Sequence, residues 1–213
     1  MKKALAATLV FAAIGATGCA SSAAAPGVPL DAEPLSAFAG RAVLVLPLQQ
    51  VLEQSAVTSS QSDVANAFRQ TMDYEIRFAF GESPPARWVF APTIIAQSKR
   101  NIGLSADPTR LSVEGLGEKL PEPDEAVSEA LRTQVRQLIA LTDARYVLLP
   151  VSVRFHEPRA NGMRRATLRI VLIDARLARI RWAEDISAEP APALNRAAAA
   201  TLASRLAVMA GLR

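Results

Sequence analysis

The sequence predicts an α/β (α+β) fold in a single domain, ordered β-α-β-α-β-β-β-α, with a mixed sheet of about five strands packed by three helices. Three observations predict it. Ala42–Leu46 and Tyr146–Phe155 are aliphatic runs of strand length. Each is nearly continuous rather than alternating, the mark of a strand covered on both faces. Val64, Phe68, Met72, Ile76 and Phe80, and later Val127, Leu131, Val135 and Leu138, recur at the spacing of a helix with one buried stripe. Residues 166–174 and 178–182 form two strand-like runs so close together that they make a hairpin.

Composition narrows the class further. The 213 residues suit one domain of ordinary size, and the 50% hydrophobic content excludes a wholly disordered chain. A single cysteine excludes an intramolecular disulfide, and the single histidine excludes any site built on two. Only 5% of residues are aromatic, so alanine and the aliphatics carry the apolar share.

Part of that share lies at the amino terminus. Lys2 and Lys3 precede an almost uncharged apolar run from Ala4 to Ala16, too short to span a bilayer and patterned as an export signal. The run ends in Ala16-Thr17-Gly18-Cys19. This resembles a bacterial lipobox, with small residues before a cysteine that becomes the lipidated first residue. The resemblance implies cleavage after Gly18 (residues 1–18 being the signal peptide) and acylation of Cys19. Ala20 rather than Asp follows, which by the same resemblance implies the outer membrane, on its periplasmic face. Several acyl chains give stable anchoring where one does not. Removing residues 1–18 deletes Lys2 and Lys3 and takes the formal charge from +4 to +2.

Residues 19–40 read as the lipidated cysteine and a small-residue, proline-bearing tether. About 17 residues of coil reach roughly 20–25 Å, which keeps the domain beside the membrane. The folded domain is expected over residues 41–213. Ala42–Leu46 is its first strand, ended by Pro47. Ser59-Ser60-Gln61-Ser62 offers N-caps for the helix that carries the Val64–Phe80 stripe, and Gly81 stops it. Arg87–Ala91 is a short second strand. Residues 97–123 show no sustained period and are broken by Gly103, Pro108, Gly115, Gly117 and Pro121, so a long loop is expected there. Asp124 can cap the next helix. Tyr146–Phe155, Ala166–Asp174 and Ala178–Trp182 complete the sheet. In the last run Ile180 and Trp182 alternate with Arg179 and Arg181, which places the two arginines on one face. Asn195 caps an alanine-rich final helix with Leu202, Leu206 and Met209 along one side.

Little in the chain points to catalysis. His156 stands alone at a strand end, no His/Cys set has zinc-ligand spacing, and Gly115-Leu116-Gly117-Glu118-Lys119 lacks the spacing of a phosphate-binding loop. The chain is therefore read as no enzyme, with no cofactor. Its basic residues are mostly arginines, and Arg165, Arg169, Arg179 and Arg181 fall in the hairpin region. Sharing a face, they would offer a cationic surface to carboxylates or phosphates; otherwise they are the charged face of an edge hairpin. Nucleic acid is not an expected partner, because the export signal takes the chain out of the cytoplasm.

Three segments carry a family resemblance: Val43–Leu48 (VLVLPL), Asp143–Pro150 (DARYVLLP) and Val171–Trp182 (VLIDARLARIRW). With the element order, they resemble the α/β domain of periplasmic envelope proteins such as CsgG, the amino-terminal domain of TolB and LpoB. In that family the hairpin turn usually holds a glycine, whereas Arg176-Leu177-Ala178 holds none, so a different turn type or register is expected. The resemblance implies a non-catalytic envelope adaptor or assembly factor, lipid-anchored, with an envelope protein partner or self-association. Its alternatives are a subunit of a CsgG-like export assembly and a regulator of a cell-wall synthase.

Overall fold

In this computed structural model, residue 38 and residues 40–53, 59–81, 86–158 and 162–210 are described. The aliphatic run at residue 42 makes one strand, as expected, and a second short strand follows it beyond Pro47. β1 (Ala42–Val45) and β2 (Gln50–Glu53) both lie parallel to β4 (Tyr146–Phe155), Val43 beside Tyr146 and Gln50 beside Ser152. Pro47 has no N–H to give, so the ladder is interrupted there. It is bridged by Leu46 N–H to Leu148 O at 3.0 Å and Gln49 N–H to Pro150 O at 3.1 Å. β3 (Arg87–Val89) pairs parallel with β1 on its other side, and β5 (Ala166–Asp174) and β6 (Arg179–Ser187) follow β4 antiparallel. The mixed sheet thus runs β3-β1-β4-β5-β6, with β2 beside β4.

Two helices cover each face. α1 (Ser59–Phe80) and α4 (Arg196–Met209) bury Phe68, Met72, Ile76, Phe80, Leu202 and Leu206 against Val43, Leu148, Leu168 and Leu172. α2 (Ala91–Arg100) and α3 (Glu129–Ile139) bury Ile94, Leu131, Val135 and Leu138 against Leu44, Val147, Leu149 and Val171. Neighbouring residues of one strand therefore serve opposite cores, which explains the continuous apolar runs. Each such side chain contributes roughly 1.5–3 kcal/mol of burial.

The expected order holds, with β2 and α2 added to it. Residues 97–100, expected in the long loop, finish α2, which starts at Ala91 (expected to end the second strand) with Pro92 in its first turn and holds Ile94 in the core. Much of the remaining stretch is packed rather than free: Leu111, Val113 and Leu116 are buried on the α3 side of the sheet. Val64, expected in the α1 stripe, is exposed, lying a turn beyond the part of the helix that meets the sheet. Gly81 ends α1 as expected, with φ +57° and its N–H on Arg77 O. Ser128, not Asp124, caps α3, accepting from Leu131 N–H. Asp124 is itself left-handed (φ +64°) and donates its N–H to Ile180 O at 2.8 Å. Asn195 caps α4, accepting from Ala198 N–H at 3.0 Å.

The hairpin resolves the missing glycine. Residues 175–178 form a turn in which Ala178 takes φ +55°, the left-handed conformation a glycine would favour. Further along, the register steps from Leu172–Trp182 to Ile173–Ile180, leaving Arg181 as an unpaired bulge. This corrects the alternation expected for the strand. Ile180 joins the α3-side core and Trp182 the α1-side core, on opposite faces.

Candidate partner-docking surface

In open α/β sheets the crevice beyond the carboxyl end of a central strand is where ligands usually sit. Here β1 is that strand, with β3 and β4 on either side, and its own chain fills the crevice. Gln49, buried, donates from Nε2 to Pro47 O (2.7 Å) and Pro108 O (3.0 Å) and accepts Leu111 N–H at Oε1 (2.8 Å). Arg69 on α1 donates to Leu48 O and Thr109 O at 3.0 and 2.9 Å. Between them Asp73 accepts Leu48 N–H at 2.9 Å. Burial pushes its carboxyl up to about 6, against the opposing pull of that N–H and of Arg69. These groups hold residues 108–111 over the strand end and leave the crevice occupied.

The arginines singled out in the sequence separate in space. Arg169 is buried on the α3 side of β5 and donates twice to Asp185, at 2.8 and 2.7 Å. Its third nitrogen reaches Leu116 O and Gly117 O at 3.2 and 3.0 Å, so it clamps the 111–117 segment to the sheet. Arg181 pairs with Asp124 at 2.9 Å, and Arg179 donates to Asp124 O. These two therefore meet on one loop, and not beside Arg169. Arg165 is exposed just before β5. Gly18 and Cys19 lie outside the described residues.

Near Arg169 a small polar cluster gathers Ser152, Arg154, His156, Thr167 and Asp185 around about 90 Å³. His156 Nε2 meets Thr167 Oγ1 at 3.0 Å, which in turn meets Ser187 Oγ at 3.1 Å. The row of hydroxyls thus links the end of β4 through β5 to β6. Among the described residues, no group of three or more His, Cys, Asp or Glu gathers to hold a metal, and no helix is long and apolar enough to cross a membrane.

A larger concavity lies elsewhere, where the end of α1 meets β3. Tyr74, Arg77, Phe78, Ala86, Arg87 and Trp88 line a groove of about 790 Å³. Tyr74 and Phe78 stack with ring centroids 6.4 Å apart, and are 57% and 73% exposed, a large apolar surface to leave in water. Arg196 lies over the Tyr74 ring at 5.5 Å while pairing with Glu75 at 2.6 Å. Arg77 and Arg87 are exposed, and neither has an ion-pair partner among the described residues. The sequence carries a signal for this site. Tyr74 and Phe78 are four apart and sit across the helix from Met72, Ile76 and Phe80, so an aromatic pair on the solvent side was legible.

No family model matches this chain, and neither does any curated protein. Among solved structures it is similar to the LpoB C-terminal domain from Salmonella enterica, at 18% identity over 74% of this chain and 94% of that one, TM-score 0.41. It is also similar to Escherichia coli LpoB, at 14% identity over 90% and 85% of the two chains, TM-score 0.41. A lipoprotein from Neisseria meningitidis matches at 12% identity over 72% and 83%, TM-score 0.37. LpoB, one of the proteins its sequence resembles, is thus among the structures this chain is similar to.

Proposed function

We propose that this chain is a lipid-anchored protein of the outer membrane, facing the periplasm, whose α/β domain is a non-catalytic adaptor or assembly factor for another envelope protein. One observation carries the reading: Ala16-Thr17-Gly18-Cys19, holding the sole cysteine, closes a charged-then-apolar leader and opens a tether to one domain. The domain's own features support recognition over turnover. Its strand-end crevice is filled by residues 108–111, while exposed aromatics and two arginines with no ion-pair partner among the described residues lie on the outside. Cys19→Ser is the direct test of the anchor. The variant should leave the membrane fraction, and continued sedimentation with the outer membrane would sink the anchor. Crosslinking in intact cells identifies the partner. A cell-wall synthase among the products selects the regulator alternative, and a ring-sized mass for the purified protein selects the export assembly.

A further inference from the structure

We propose that the groove between α1 and β3 seats an extended, carboxylate-bearing apolar segment of a partner protein, added as a strand to the free edge of β3. The inference deepens the adaptor reading and rests on it.

Among the described residues β6 and β3 end the main strand order, while β2 is an off-path strand paired with β4 alone, and the two ends differ. β6 carries Arg179, Arg181, Glu184 and Asp185 and is bridged by residues 124–127 through Ala126 to Arg179, so charge and chain guard it. β3 has no strand on its outer side among the described residues. Arg87 pairs with Ala42 and donates its N–H to Arg41 O at 2.8 Å. In a parallel ladder successive residues turn their amides to opposite sides, so the Trp88 N–H and C=O face outward, beside the groove. The Trp88 indole adds a further donor. Its ring stands edge-on to Phe80 at 4.7 Å, and Nε1 is buried with no hydrogen-bond partner among the described residues.

The remaining walls specify the side chains. Tyr74 and Phe78 offer apolar area at little entropic cost, the usual anchor of a protein interface. Arg77 and Arg87 flank them, so carboxylates in the incoming segment complete the charge. An extended segment alternating acidic and aliphatic residues meets all three demands: the backbone pair at Trp88, the aromatic wall and the two guanidiniums.

The full-length protein in detergent micelles, titrated with the synthetic peptide acetyl-Val-Asp-Val-Glu-Leu-amide, tests this. Saturable binding is expected, with slowed hydrogen exchange at the Trp88 amide. The counterpart with lysine for both acids should bind about tenfold more weakly. Arg77→Glu with Arg87→Glu should abolish binding of the acidic peptide, and Arg77→Gln should weaken it; both arginines are exposed, so the fold survives. Failure of the acidic peptide to bind, equal binding of both peptides, or an unprotected Trp88 amide overturns the proposal. In intact cells a photocrosslinker at Phe78 should capture an acidic segment of another protein. Capture of this chain's own residues 20–37, or of a second copy, also overturns it. Partner crosslinks obtained only from Leu104 or Arg181 would sink the groove and leave the adaptor standing. Crosslinks to no other protein from any position would sink the adaptor itself.

Discussion

Asp174 divides its carboxylate between two elements: Oδ2 accepts Nε and Nη2 of Arg145 at 3.0 and 2.6 Å, while Oδ1 accepts the N–H groups of Arg176 and Leu177 at 3.0 and 3.2 Å. Ala175 N–H completes the junction on Arg145 O at 3.0 Å. The two Asp-Ala-Arg triplets of the sequence, at 143–145 and 174–176, are thus one structure. The arginine of the first neutralises the aspartate of the second and fixes the turn that lacks glycine.

Burial works to raise the pKa of Asp174, but the Arg145 guanidinium and the turn N–H groups outweigh it and hold the carboxyl below its usual range. A lowered pKa contributes stability above the unfolded value near 4, and that contribution is lost as pH falls through the folded one. Asp174→Asn should therefore cost about 2–3 kcal/mol at pH 7 in urea unfolding. Its gap to the parent protein should narrow below pH 4. A gap independent of pH would contradict the ionised pair.

Asp73 has the opposite sign. With its pKa raised to about 6, the stabilisation linked to its proton is complete below the unfolded value near 3.8 and is lost as pH rises through about 6. Asp73→Asn keeps an acceptor for Leu48 N–H without the charge. It should gain about 1–3 kcal/mol at pH 7 and lose the parent's decline between pH 4 and 6. Urea midpoints across that window are the check.

Gln49, itself buried, links residues 108–111 to the end of β1. Gln49→Leu should cost about 2–4 kcal/mol, because Leu111 N–H and the Pro47 and Pro108 carbonyls lose their partner together. Hydrogen exchange should quicken first across residues 108–117.

Ala178 holds φ +55° with a Cβ that disfavours it. Ala178→Gly should raise stability by roughly 0.5–1 kcal/mol, seen as a higher Tm. A fall would mean that the buried methyl outweighs the strain.

What was legible in the sequence followed from how local each signal is. The stripe Phe68, Met72, Ile76 and Phe80, the Asn195 cap and the strands at 146–155 and 166–174 each declare themselves within one element. β2 and α2 were not legible for the same reason. Gln50–Glu53 becomes a strand only because β4 offers a parallel partner about 100 residues away. α2 is short and holds Ile94 and Ala91 as its buried residues, too few to set a period. The bulge at Arg181 hid the division of Ile180 and Trp182, since perfect alternation in sequence continues straight through it.

By itself the sequence determined one α/β domain and most of its strands and buried stripes, because spacing along the backbone encodes those directly. Only the tertiary structure decided what the arginines do. Arg169 found Asp185 sixteen positions away and Arg181 found Asp124 fifty-seven away. An ion pair depends on distance through space, which sequence separation does not report. The same reason left the groove to the structure: Trp88 and Phe78 face one opening because a helix end and a sheet edge pack side by side.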